Sequence, residues 1–239
     1  SYLPRGGRAL SRNLLGAVAT LVVLVLALLA LRALEGPEEG PSSSDVWNPV
    51  DADPATFRDE LELLASIPQR ERASGAGFSR EVFGERWADV DGNGCDTRND
   101  VLARDLLDVR LRPGTCLVQS GTLHDPFTGQ VLSFERGPQS SEAVQIDHLV
   151  ALYDAWRTGA QGWTAEVRTL FANDPANLLA VEGEANQAKG HADAATWLPP
   201  HTAFRCDYVA AQVRVKASYG LWMTPAEHGA SARVLETCG

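Results

Sequence analysis

The chain has 239 residues, 44% of them hydrophobic and 22% charged, a composition that supports a buried core and excludes a wholly disordered chain. Its formal net charge is −10, and from Pro68 onward 16 Lys and Arg stand against 22 Asp and Glu, which excludes a broad electropositive surface for nucleic acid. Contact with a polyanion therefore has to come from a local patch.

Residues 1–34 read as a signal anchor or a cleaved signal peptide. Arg5, Arg8 and Arg12 precede an uncharged apolar run of 18 residues from Leu14 to Leu31. A membrane-spanning helix needs about 17–25 such residues, and most signal-peptide cores are shorter. The basic flank favours the cytoplasmic side, while Ala27, Ala30 and Ala33 supply the small residues of a cleavage site. Both readings put the C-terminal bulk outside the cytoplasm, and an anchor adds the membrane as a partner. Residues 35–54 then turn to Gly, Pro, Ser and acidic side chains, too polar to bury a core, and read as a disordered acidic linker.

Residues 55–239 fit one domain. A helix is expected over about 54–66, with Phe57, Leu61, Leu64 and Ala65 on one stripe. In ADVDGNGCDTRNDVLARDLL, Asp89, Asp91, Asn93, Gly94 and Asp100 fall at the first, third, fifth, sixth and twelfth positions of a calcium-loop pattern, which would take a structural Ca²⁺. The alternative for that stretch is a Gly-rich turn in which Asp96 or Thr97 caps the following helix. Four cysteines in an exported domain suggest two disulfides, and the sequence-local pairs are Cys95 with Cys116 and Cys206 with Cys238. Their spacing does not suit structural zinc.

The densest chemistry lies between residues 144 and 200. VQIDHLVAL is β-branched and apolar and reads as a strand carrying Asp147 and His148, and NLLAV reads as a second strand starting at Asn177. EGEANQAKGHADAA has helical propensity, and Asn186 and Lys189, three residues apart, share one face of that helix. Hydrolysis of a phosphodiester needs a proton acceptor beside the attacking water and positive charge near the phosphate. His148 suits the first role because an imidazole is partly neutral at physiological pH. Asp147 and Asn186 offer oxygen to a hard divalent ion such as Mg²⁺, and Lys189 would turn a cation towards the phosphate. Of the cations near this region, Arg157, Arg168, Lys189, Arg205, Arg214 and Lys216, only Lys189 carries a geometric argument. Trp156, Trp163 and Trp197 read as core, and His191, just past the helix, as surface or a substrate contact. No helix-turn-helix or zinc finger is evident, so binding is expected to be sequence-tolerant and salt-sensitive.

Taken in order, CDTRNDVL, VQIDHLVALYDAW, FANDPANLLAV, NQAKG and TWLPP resemble the secreted bacterial HNH endonucleases, over roughly Ile67 to Cys238. The resemblance implies an α+β fold with a ββα-metal (HNH) core at about 144–200 and surrounding helices. It also implies that Asp147 and Asn186 hold Mg²⁺ or Mn²⁺, that His148 is the general base and that Asn177 orients it through the backbone. By the same likeness Asp96 and Arg98 would line the cleft, with Arg98 on a phosphate. A long insert, Tyr153 to Asp174, departs from the shortest members of the superfamily. The implied function is metal-dependent, largely nonspecific hydrolysis of DNA, with RNA a second candidate, outside the cytoplasm. The alternative is a noncatalytic envelope module held by disulfides and calcium.

Overall fold

A computed structural model describes residues 57–137 and 140–238, so the expected anchor, the linker and the first residues of the opening helix lie outside the described residues. The order is α1 (Phe57–Ser66), a 3₁₀ turn (Arg80–Phe83), α2 (Thr97–Asp105), β1 (Leu106–Leu111), β2 (Val118–His124), β3 (Val131–Glu135), α3 (Ser140–Ala143), β4 (Val144–His148), α4 (Leu152–Arg157), α5 (Ala165–Ala172), β5 (Leu178–Glu182), α6 (Gly183–Lys189), α7 (Arg205–Ser218) and α8 (Pro225–Leu235). The fold is α+β. Strands β1 to β3 form an antiparallel meander, and β4 pairs antiparallel with β5. Among the described residues no helix is long and apolar enough to cross a membrane.

The β4–β5 pair sits between two cores. Leu178 and Ala180 join Val144 and Ile146 in a cluster with Val101, Leu102 and Phe134. Leu179 and Val181 point the other way, into a cluster with Tyr208, Val209 and Val213 of α7. Because both faces of β5 are covered, its sequence is a continuous apolar run, not an alternation. Helix α7 is buried on most of its circumference, which explains why it carries little amphipathic pattern. The insert between the strands is folded: α4 and α5 close a third, aromatic core with Phe83, Phe171 and Trp163. The expected DHLVAL continuation of the first strand ends at His148, where the chain leaves the ladder.

Both cysteine pairs are bonded. Cys95–Cys116 joins the start of α2 to the turn before β2, and Cys206–Cys238 pins the C-terminus to α7. Each closes a loop of 21 or 32 residues, worth about 3–4 kcal/mol on a chain-entropy estimate.

Gly183 opens α6 where the backbone passes α3 so closely that an added Cβ would meet the Glu142 carbonyl oxygen at 2.1 Å. Neither partner can swing aside, since one is backbone and the other starts the helix carrying Asn186. Gly183→Ala is therefore expected to lower stability by about 1–3 kcal/mol, read as a melting temperature several degrees below wild type. An unchanged melting temperature would show that the contact relaxes freely.

Candidate active site

Asp147 and His148 end β4, opposite Leu179 and Leu178 of β5. Asn177 does not lie in the second strand but in the 3₁₀ turn Pro175–Asn177 just before it. There, fully buried, it staples the chain beyond His148. Its carbonyl oxygen accepts from Leu149 N at 2.8 Å, its Oδ1 accepts from Val150 N at 2.8 Å, and its Nδ2 donates to Val150 O at 3.3 Å. The three bonds satisfy backbone groups that the strand ladder has released and fix where His148 projects.

His148 Nε2 lies 2.8 Å from Ala172 O. A carbonyl only accepts, so Nε2 carries the proton and Nδ1 is left with its lone pair. Burial pushes the His148 pKa down to about 4, and the positive charges of Lys189, Arg80 and Arg86 push in the same direction against the Ala172 hydrogen bond. The ring is thus a neutral base at physiological pH.

Lys189 departs from its expected role. It is 2% exposed, and its ammonium donates to Asp147 Oδ1 at 2.9 Å and to His148 O at 2.8 Å, with Asp147 Oδ2 also 2.9 Å away. The side chain folds inward because a buried carboxylate needs a counter-charge more than the solvent-facing surface needs a cation. Its ammonium is engaged by the Asp147 carboxylate and the His148 carbonyl, and Lys189 is not among the residues that line the cleft. Lys216, another of the expected surface cations, is also buried, on Asp154 and Glu227. Arg168 spends its guanidinium on the carbonyls of Val82 and Trp163.

Burial pushes the Asp147 carboxyl up, while Lys189 holds it down. Asp147 Oδ2 is buried, with the Lys189 ammonium beside it, and the residue lines the cleft. Asn186 donates through Nδ2 to Gln145 Oε1 at 2.8 Å, which sets its amide and leaves Oδ1 as the other cleft oxygen. The Asp147 carboxylate, paired with Lys189, and the Asn186 amide line one cleft, and oxygen donors of this kind suit a hard divalent cation.

The cleft measures about 970 Å³. Segment 80–98 contributes Arg80, Arg86, Trp87 and Arg98 to it, and α6 with its C-terminal turn contributes Asn186 and His191. Arg98 is half-buried, and burial, then the charges of Arg136 and Arg86, hold its guanidinium below its ordinary range. Trp87 was not singled out by its sequence context, nor were Arg80, Arg86 and Gln145. The segment of the first three, SREVFGERW, balances two Arg against two Glu and so carries no basic signal. Trp87 stacks parallel to His148, 9° between planes and 6.5 Å between centroids, and the Arg86 guanidinium lies 5.2 Å from the Trp87 ring. The Trp87 backbone has φ 61, a left-handed conformation costing a bulky side chain about 1–2 kcal/mol. Tyr153 meets the His191 ring edge to face at 5.1 Å.

The remaining candidates are placed elsewhere. Both oxygens of Asp96 are engaged by Asn99, through its amide at 2.8 Å and its side chain at 2.7 Å, so Asp96 caps α2. Asp89 accepts the amides of Gly92, Asn93 and Gly94, and Asp91 accepts from Asn93, so these carboxylates turn onto their own loop. Burial, opposed by Asn93 and reinforced by Asp91, Asp96 and Asp89, raises the Asp100 carboxyl. Among the described residues, the carboxylates that come within 4.8 Å of one another as a set of three are Asp154, Asp193 and Glu227. Arg72 and Lys216 already fill that cluster, with Arg72 2.5 Å from Asp193 and Lys216 2.7 Å from Asp154, so it is a buried ion-pair network behind the site. Burial raises Glu227 within it to about 7.

The family profile described as "GmrSD restriction endonucleases, C-terminal domain" matches residues 96–234, which include Asp147, His148, Asn177, Asn186 and Lys189. A relative from Arthroderma benhamiae, named "Uncharacterized secreted protein", is 36% identical over 178 residues, covering 74% of this chain and 83% of its own. That source is fungal. No solved structure matches. The profile spans more than half of the chain and holds every side chain that lines the His148 cleft except those of residues 78–87, and on that ground the chain belongs to the family of the C-terminal domain of GmrSD restriction endonucleases.

Proposed function

We propose that residues 55–239 form a metal-dependent, sequence-tolerant endonuclease that hydrolyses phosphodiester bonds of DNA outside the cytoplasm. One observation carries the reading: a neutral imidazole, its Nε2 proton held by Ala172 O, lines a cleft shared with Asp147, Asn186 and several arginines. The match to a restriction-endonuclease family supports the reaction class, and the two disulfides and the secreted relative support export. In this reading β4, β5 and α6 are the ββα-metal core, and residues 1–54 are the export segment and linker.

His148 Nδ1 takes the proton of the attacking water, and Ala172 O stabilises the imidazolium that results. Lys189 holds the His148 carbonyl and Asn177 the backbone of Leu149 and Val150 just past it. Arg80, Arg86 and Arg98 attract the phosphate backbone locally, against the negative charge of the chain. Asp147 and Asn186 would hold a divalent cation, whose chemistry is to polarise the phosphate and stabilise the departing oxygen.

Supercoiled plasmid incubated with the protein and Mg²⁺ or Mn²⁺ is expected to be nicked, with EDTA abolishing the activity and added salt weakening it. Absence of metal-dependent nicking would reject the nuclease and leave the noncatalytic, disulfide-held envelope module.

A further inference from the structure

We infer that Trp87 is a positioning residue for His148, holding the imidazole from the face that the strand does not support. The inference rests on the nuclease reading above. His148 is fixed along its chain by Asn177 and Lys189 and at Nε2 by Ala172, all of which act on its backbone or one ring edge. Trp87 stands beside the ring, 9° from parallel with the imidazole and with its centroid 6.5 Å away, within the range at which aromatic rings attract. The Arg86 guanidinium also lies over the indole, 5.2 Å from its centroid.

The backbone supports the same conclusion. A glycine would occupy a φ of 61 without strain, whereas a tryptophan stays there only if its surroundings over-determine it. Those surroundings are the start of α2. Thr97 N donates to Trp87 O at 3.4 Å, Thr97 Oγ1 donates to Ala88 O at 2.5 Å, and the ring packs beside the Val101 and Ile146 core. Thr97 in turn is two residues from the Cys95–Cys116 disulfide. A strained aromatic residue, anchored by a capped and disulfide-tied helix start and laid along the proposed base, fits the placing of that base.

The test compares Trp87→Leu and Trp87→Phe with wild type in the plasmid assay, with steady-state kinetics on a short duplex and a melting curve for each protein. Trp87→Leu is expected to lose 10- to 100-fold in kcat with KM within about threefold, the size of effect that follows from a base displaced by about an ångström. Trp87→Phe, which keeps a ring, is expected to recover to within about fivefold of wild type. If Trp87→Leu does not melt cooperatively, Trp87→Met takes its place, since an unbranched chain refills the gap. Unchanged kcat in the folded apolar variant overturns the inference, as does a loss confined to KM, which would make Trp87 a substrate contact. Equal loss in Trp87→Phe also overturns it. A wild-type protein inactive with both metals would instead overturn the nuclease reading itself.

Discussion

Replacing His148 with alanine is expected to lower the rate of metal-dependent nicking by about 10²- to 10⁴-fold, the usual contribution of a positioned general base, while the melting temperature moves by only a few degrees. The fold should tolerate the change because the ring makes one hydrogen bond, to Ala172 O, and lies at the cleft, not in a core. The wild-type pH profile carries a second signature. The deprotonated ring is the active form, so the rate falls as pH drops through the pKa of His148. Burial and the nearby charges of Lys189, Arg80 and Arg86 put that value at about 4. Activity should therefore hold across neutral pH and fall only in acid, well below the value of about 6.5 for a free imidazole. A rate that breaks near 6.5 would mean that the ring is solvated, and nicking that survives His148→Ala would remove it from the chemistry.

The order of residues made this site legible because each of its parts has a local signature. A β-branched run ending in Asp147 and His148, an apolar run after Asn177 and a helix-prone stretch around Asn186 appear in the structure as β4, β5 and α6. The sites of greater sequence separation were not legible. The direction of Lys189 depends on a carboxylate 42 residues away in the chain, and a lysine four carbons long can lie on a surface or fold beneath it with the same local sequence. Asn177 supports His148 through backbone groups of Leu149 and Val150, which no side-chain pattern records. Trp87 reaches the base only because its backbone turns left-handed, an outcome decided by α2 and not by local propensity. The β1–β3 meander and the nearly all-round burial of α7 were likewise hidden, the latter because a helix buried on every side has no stripe to read.

Lys189→Met should cost about 3–5 kcal/mol, the penalty for leaving one partner of a buried ion pair uncompensated. That is a large part of the roughly 5–15 kcal/mol that holds a typical domain, and it should appear as a fall of about 10 °C in melting temperature. Asp147 is 5% exposed and both its oxygens lie 2.9 Å from the ammonium, so little solvent reaches it to take the ammonium's place. The His148 carbonyl would lose its donor at the same time. Asp147→Asn in the same background should restore much of the loss, since a neutral amide does not need the counter-charge, and the double-mutant cycle should show coupling between the two sites. The binding experiment separates this role from a phosphate contact. A lysine on a phosphate lowers the salt slope of DNA binding by about one when removed, whereas the buried Lys189 should leave that slope as it is. A Lys189→Met protein with wild-type melting temperature and a shallower salt slope would return the ammonium to the substrate and remove it from beneath the base.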